Sequence, residues 1–315
     1  MTNSTKPTVL ITGVSGYIGS YVCKVFLEHG GFNVRGTVRS LSNESKIQPL
    51  KDGYGEDLFS QLELVEADLM DADSIMAVAE GCDYIVHTAS PVAGLEDEVE
   101  DEDVVIKPAV DGTLAVMKAA QKAKVKKVVI TSSVAAVGFQ GSGLTEKDWT
   151  DVNAEGVSTY HKSKTLAEKA AWDFIAELSD DEKFPLATIN PAFVFGPNVS
   201  TAPTSTFGLA LALVQGHLPK PLLNTYEAAM QYNSVDVRDV SQAHLEAVLR
   251  DEANDKRFIL CAESESEDVP AIYIGNRAVE VLGIKYVGHM QSMADMKASM
   301  IATGCIEADN VALQQ

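Results

Sequence analysis

The sequence predicts an α/β fold, a doubly wound parallel sheet with a smaller C-terminal lobe. From Thr8 onward, short apolar runs rich in β-branched residues alternate with longer stretches of helical periodicity, the pattern of repeated strand-helix-strand units. Several of these runs are apolar at nearly every position, as strands covered on both faces must be. A glycine-rich segment joins the first run to the first helical stretch, which is how an open parallel sheet begins a ligand crevice.

The predicted strands are Thr8 to Thr12, Asn33 to Val38, Gln61 to Val65, Tyr84 to His87, Lys127 to Thr131 and Leu186 to Asn190. Between them, helices are predicted over Tyr17 to His29, Asp71 to Ala79, Val104 to Ala123 and Ser158 to Glu177. After Pro191 the alternation weakens: Gly196, Pro197, Pro203, Pro219 and Pro221 interrupt it, because neither residue type continues a regular element. A helix is predicted from Ser205 to Gln215. The stretch Tyr232 to Val240, followed by an Ala- and Leu-rich helix to Arg250, is expected to return to the main sheet. Residues 1–194 and 232–262 are thus assigned to the main domain, and 195–231 and 263–315 to the smaller lobe.

The chain has 315 residues and a formal net charge of -20, so phosphate backbones and anionic lipid would be repelled at long range. Acidic residues cluster from Glu96 to Asp103, read as a solvated loop and helix start. Cys23, Cys82, Cys261 and Cys305 are scattered without metal-ligand spacing, so reduced thiols and no metal are expected. No window approaches the roughly 20 apolar residues of a membrane span. A cytoplasmic protein is expected, and the triplets at Asn3, Asn43 and Asn198 are read as chance glycosylation matches.

The first motif is Thr12-Gly13-Val14-Ser15-Gly16-Tyr17-Ile18-Gly19. Its glycines allow a tight turn and close backbone approach, and the amides and dipole of the following helix attract phosphate. In this strand-turn-helix context it predicts a Rossmann-like dinucleotide site with Gly13, Gly16, Tyr17, Ile18 and Gly19 at the pyrophosphate. The second strand ends Thr37-Val38-Arg39-Ser40 with Lys46 beyond. An NAD site has an acid roughly 20 residues past the glycines, whereas an NADP site puts positive charge there. Arg39, which can clamp a phosphate in two-point fashion, favours NADP(H). Asp68 and Leu69 follow the third strand, where Asp68 is placed for the adenine amino group or, alternatively, for capping the next helix.

The second motif is Tyr160-His161-Lys162-Ser163-Lys164 at a helix start. Residues four apart share a helix face, so Tyr160 and Lys164 face one cleft. A phenol with a pKa of about 10 is a poor acid or base at neutral pH, and a neighbouring ammonium draws that value down. Thr131-Ser132-Ser133 ends the fifth strand, and Ser133 is placed to polarise a carbonyl.

Together with His87-Thr88-Ala89-Ser90-Pro91, Asn190-Pro191-Ala192-Phe193-Val194 and Asp236-Val237-Arg238-Asp239-Val240, these motifs make the chain similar to the extended short-chain dehydrogenase/reductases. Within them it resembles the branch of dihydroflavonol, cinnamoyl-CoA and yeast methylglyoxal/aldehyde reductases. The matching stretches span most of residues 8–248. The resemblance implies a carbonyl reductase in which Tyr160 is the general acid, Lys164 its pKa modifier and Ser133 the carbonyl donor. It further implies that Thr88, Ala89, Ser90 and Thr131 line the cofactor, that Pro191, Phe193 and Val194 back the nicotinamide, and that the protein is a monomer or homodimer. Asp111 and Gly138 stand where relatives carry asparagines; the first questions the usual water relay, and the second argues against a flavonoid substrate and toward small aldehydes and ketones. A sugar-nucleotide epimerase or dehydratase and a non-catalytic redox sensor are the rival readings. Val134-Ala135 after Ser133 weighs against the first, and the retained tyrosine and lysine against the second. His161 is read as a surface or cleft-rim residue, His87 as a core histidine, Trp149 and Trp172 as packing residues, and Met230, Gln231 and Tyr232 as cleft-lining.

Overall fold

A computed structural model describes residues 6–90, 101–138, 141–199, 205–215, 233–262 and 271–307. The chain runs β1 (Thr8–Thr12), α1 (Tyr17–His29), β2 (Asn33–Val38), α2 (Glu44–Tyr54), α3 (Glu56–Phe59) and β3 (Leu62–Glu66). It continues through α4 (Ala72–Ala79), β4 (Tyr84–His87), α5 (Asp103–Ala123), β5 (Lys127–Thr131), α6 (Thr159–Glu177), β6 (Leu186–Pro191) and β7 (Phe193–Phe195). The remaining elements are α7 (Ser205–Val214), β8 (Ser234–Asp236), α8 (Val237–Leu249), β9 (Lys256–Leu260), α9 (Arg277–Leu282) and α10 (His289–Ala302).

Seven strands form one sheet in the order β3-β2-β1-β4-β5-β6-β9, every pair parallel. The doubly wound architecture expected from the alternation is therefore present. Alternate side chains feed two cores, one per sheet face: Val9 and Ile11 of β1 enter one, and Leu10 enters the other, as a period of two requires. Helices α1 and α8 pack over the first face, and α4, α5 and α6 over the second. The winding reverses between β1 and β4, and the crevice outside the C-terminal ends of strands at such a switch point is where ligands of open α/β sheets bind.

One expectation is corrected. The strand after Tyr232 does not return to the main sheet: β8 pairs with β7 in a separate two-stranded sheet, Val235 opposite Val194. The strand that does return is β9, in register with β6 through Phe258 opposite Ile189. Its sequence, Lys-Arg-Phe-Ile-Leu, opens on two charges and so lacks the apolar signature of a buried strand. Helices α2 and α3 also lie where no element was predicted, α2 carrying Pro49 and Gly53 within it. Among the described residues, no helix is long and apolar enough to cross a membrane.

Candidate active site

A cavity of about 1040 Å³ opens along the C-terminal ends of the sheet strands. At its β1 end the chain turns at Gly13, whose φ of +74° is left-handed, and a Cβ there would lie 2.9 Å from that of Ala89. Gly19 faces the turn from α1, where a Cβ would meet the Gly13 carbonyl and sit 2.7 Å from Thr88 Oγ1. The turn is stitched to its neighbours: the Gly13 amide donates to Thr37 Oγ1 (3.0 Å) and the Thr88 hydroxyl to the Thr12 carbonyl (2.5 Å). No side chain caps the α1 N-terminus at Gly16, and no acid lies in its first turn. Its first amides and the positive end of the helix dipole thus face the cavity, as an anion site needs.

Gly13, Gly16, Tyr17, Ile18, Gly19, Arg39, Lys46, Asp68, Leu69, Thr88, Ala89 and Ser90 all line this cavity, together with Thr131, Ser133, Tyr160, Lys164 and Phe193. Tyr17 contributes at the turn, but its hydroxyl is committed elsewhere, donating to the Gly196 carbonyl (2.7 Å). Asp71, not Asp68, caps α4, accepting from the amides of Asp73 and Ser74. Asp68 Oδ1 accepts from the Met70 amide (2.9 Å). Arg39 stands exposed at the end of β2. The nearby Glu66 carboxylate accepts from the Leu41 amide (2.6 Å) and the Ser40 hydroxyl (3.2 Å).

Two expected lining residues are not there. Pro191 and Val194 are buried, and Val194 packs into the core. Phe193 lines that wall as expected, with Ala192 beside it.

At the other end, β5 delivers Ser133. It caps a 3₁₀ turn, Val134–Ala136, its Oγ accepting from the Ala135 amide (3.1 Å). That contact leaves the hydroxyl proton free to be donated, and Ser133 hydrogen-bonds Tyr160. Helix α6, capped by Ser158, presents Tyr160 and Lys164 one turn apart. Lys164 Nζ lies 5.8 Å from the centre of the Tyr160 ring and donates to Ser90 Oγ (3.0 Å). Burial pushes the Lys164 ammonium down to about 8. The Tyr160 phenol is raised by burial, against which the Ser133 hydrogen bond pulls it back. Desolvation of a phenolate is the larger cause, and the expected lowering by the lysine is not among the causes of the shift.

His87 is a core residue, its Nδ1 paired with Thr12 Oγ1 (2.8 Å) and its pKa lowered to about 3 by burial and then by the Lys164 charge. His161 lies on the rim, Nδ1 on Ser158 Oγ (2.7 Å) and ring edge-on to Tyr160; burial lowers its pKa, so it faces the cleft neutral. Asp111 is exposed on α5 and does not line the cavity.

Tyr273 carries no signal in the sequence; it reaches the cavity from the segment between β9 and α9 and donates to the Gly138 carbonyl (2.9 Å). Gly138 itself is buried, and a Cβ there would lie 2.6 Å from Leu144 Cδ1. Met230, Gln231, Tyr232 and the acidic residues Glu96 to Glu100 fall outside the described residues. Asp103 opens α5, and Glu102 pairs with Lys162 (2.8 Å).

A model of the NAD dependent epimerase/dehydratase family matches residues 9–261. The chain is 34% identical to an anthocyanidin reductase of Vitis vinifera over 287 residues, 86% of this chain and 81% of that protein. It is 35% identical to cinnamoyl-CoA reductase CAD2 of Medicago truncatula over 248 residues, 75% of this chain and 71% of that protein. The NADPH complex of Candida albicans Gre2 superposes with a TM-score of 0.74 at 26% identity, covering 94% of this chain and 99% of that one.

Proposed function

The chain belongs to the NAD dependent epimerase/dehydratase family, and from that premise we propose that it is an NADPH-dependent reductase of small aldehydes and ketones. The observation that carries this reading is the convergence of Ser133, Tyr160 and Lys164 at one end of a cavity whose other end is a glycine turn at a helix N-terminus. The named reductases among its relatives support it.

The residues present fit a dinucleotide phosphate. At Gly13 and Gly19 added Cβ atoms would fill the cradle, and two cations, Arg39 just after β2 and Lys46 in the first turn of α2, line the same cavity. Arg39 and Lys46 would hold the 2′-phosphate, Asp68 the adenine, and Lys164 with Ser90 the nicotinamide ribose. When bound, the cofactor supplies the hydride.

The chain's own residues do the rest. Ser133 donates to the carbonyl oxygen and stabilises the negative charge that develops there. Tyr160, kept protonated by burial, gives its phenolic proton to that oxygen, a general-acid role. The Lys164 ammonium offsets the charge left on the phenolate. Val134, Phe193 and Tyr273 offer an apolar and aromatic wall to the substrate, and neutral His161 adds no charge to it.

The test is the decay of nicotinamide absorbance with NADPH, then NADH, across small aldehydes, diketones, aryl ketones and dihydroflavonols. Oxidation of NADPH by the small carbonyls is expected. Silence across the set would move weight to sugar-nucleotide chemistry.

A further inference from the structure

Beneath the reactive groups lies a buried polar cluster that the proposed chemistry does not use. Its centre is Glu168, one turn beyond Lys164 on α6, with a fully buried carboxylate. That carboxylate is crowded with donors. Oε1 accepts from Arg257 Nε (2.6 Å), Thr188 Oγ1 (2.9 Å) and Trp172 Nε1 (3.2 Å). Oε2 accepts from Ser132 Oγ (2.5 Å) and Asn190 Nδ2 (2.7 Å). Removing a carboxylate and a guanidinium from water is costly unless every remaining donor and acceptor is satisfied, and here they are: Arg257 gives its other N–H groups to the carbonyls of Glu146, Asp148 and Ala136.

The connections lead to one place. Asn190 Nδ2, while on Glu168, also donates to the Ser133 carbonyl (3.1 Å). The Ala136 carbonyl, at the end of the turn that Ser133 caps, is held by Arg257 and by the Thr150 amide (3.2 Å). Ser132 and Ser133 are neighbours on extended backbone, so their side chains point to opposite sides: both residues border the cavity, but the Ser132 hydroxyl goes down to Glu168 while that of Ser133 meets Tyr160. The same carboxylate belongs to the helix that carries Tyr160 and Lys164.

We infer that Glu168 is a positioning residue that fixes Ser133 against Tyr160, with Ser132 and Asn190 transmitting its hold and Arg257 compensating its charge. This rests on the reading of Ser133 and Tyr160 as the reacting pair. A displacement of the Ser133 turn loosens the Ser133–Tyr160 hydrogen bond, and since that bond favours the phenolate, the Tyr160 phenol then titrates at higher pH.

Two variants test this. Glu168→Gln strands the Arg257 charge in the interior and is expected to unfold readily. Ser132→Ala removes one donor without stranding a charge, and leaves Ser133, Tyr160 and Lys164 in place. In protein labelled with ¹³C at the tyrosine ζ carbon, the resonance missing from Tyr160→Phe identifies Tyr160 among the nine tyrosines. In Ser132→Ala its titration midpoint is expected to move to higher pH, kcat to fall about tenfold, as slight misplacement of a reacting group does, and KM and the NADPH Kd to stay unchanged. Ser132→Thr, which keeps the hydroxyl, should restore both. A wild-type midpoint in Ser132→Ala, with only the melting temperature lowered, would reduce the cluster to a structural role and overturn the inference. The titration needs no substrate, so it decides the point even if no carbonyl compound is turned over by the wild-type protein.

Discussion

The two ends of the cleft are built in opposite ways. The glycine-turn end is local: Gly13 to Gly19 are contiguous, and Arg39 and Asp68 stand exposed at strand ends, with main-chain amides as the principal donors. The Ser133 end is assembled from Glu168, Asn190 and Arg257, all buried and drawn from α6, β6 and β9. The difference is physical. An anion is satisfied by several exposed donors whose exact placement is forgiving, whereas a hydroxyl that must meet a developing charge has to be fixed to a fraction of an ångström. The first requirement fits within one turn, and the second recruits a buried network.

The largest test of this contrast is at the chemical end. Tyr160→Phe is expected to lower kcat by about 10³-fold, within the span of general acid catalysis, with NADPH affinity retained; loss of cofactor binding in parallel would erase the distinction between the two ends. Next comes the support beneath it. Arg257→Ala leaves Glu168 charged and unpaired and should cost about 3–5 kcal/mol in urea unfolding, whereas Arg39→Ala, on an exposed side chain, should leave stability within about 0.5 kcal/mol. Equal losses would show that both ends share one structural load.

Arg39→Ala also probes cofactor choice. The KM for NADPH should rise about tenfold, since a hydrogen bond to a charged group contributes about 1.5–3 kcal/mol, while the KM for NADH stays put. A proportionate rise for both would remove Arg39 from the 2′-phosphate.

The smallest effect is on pH dependence. Burial disfavours the charged form of Lys164, so its proton leaves near pH 8, earlier than from an exposed lysine. Carbonyl reduction should thus hold level below that value and decline above it in a kcat/KM profile from pH 6 to 10. Stability runs the opposite way: between about 8 and the usual lysine value the unfolded chain keeps the proton that the folded chain has lost, so stability from this group rises with pH. A profile level through pH 10 would remove Lys164 from the reaction.

The contrast also governs what could be read from the sequence. The glycine turn, the strand end at Arg39 and the Tyr160–Lys164 spacing are short-range patterns, and six of the seven sheet strands carry their own apolar signature. Arg257 and Glu168 lie 89 residues apart, and each looks like a solvated charge in its own segment. β9 was missed for the same reason, since the charge that disguises it is the one it buries. Tyr273 is invisible for a related cause: the segment that holds it has no periodic pattern linking it to Gly138.

Both tryptophans of the chain touch the buried ion pair. The Trp149 ring lies 3.7 Å from the Arg257 guanidinium carbon, and Trp172 donates to Glu168. All the indole emission of this protein therefore originates beside the floor of the reactive turn, while the glycine turn and the C-terminal helices α9 and α10 contribute none. Intrinsic fluorescence is thereby a label-free gauge of that floor, and a melt followed by it would register the loss of the Glu168 cluster while remaining blind to local opening elsewhere.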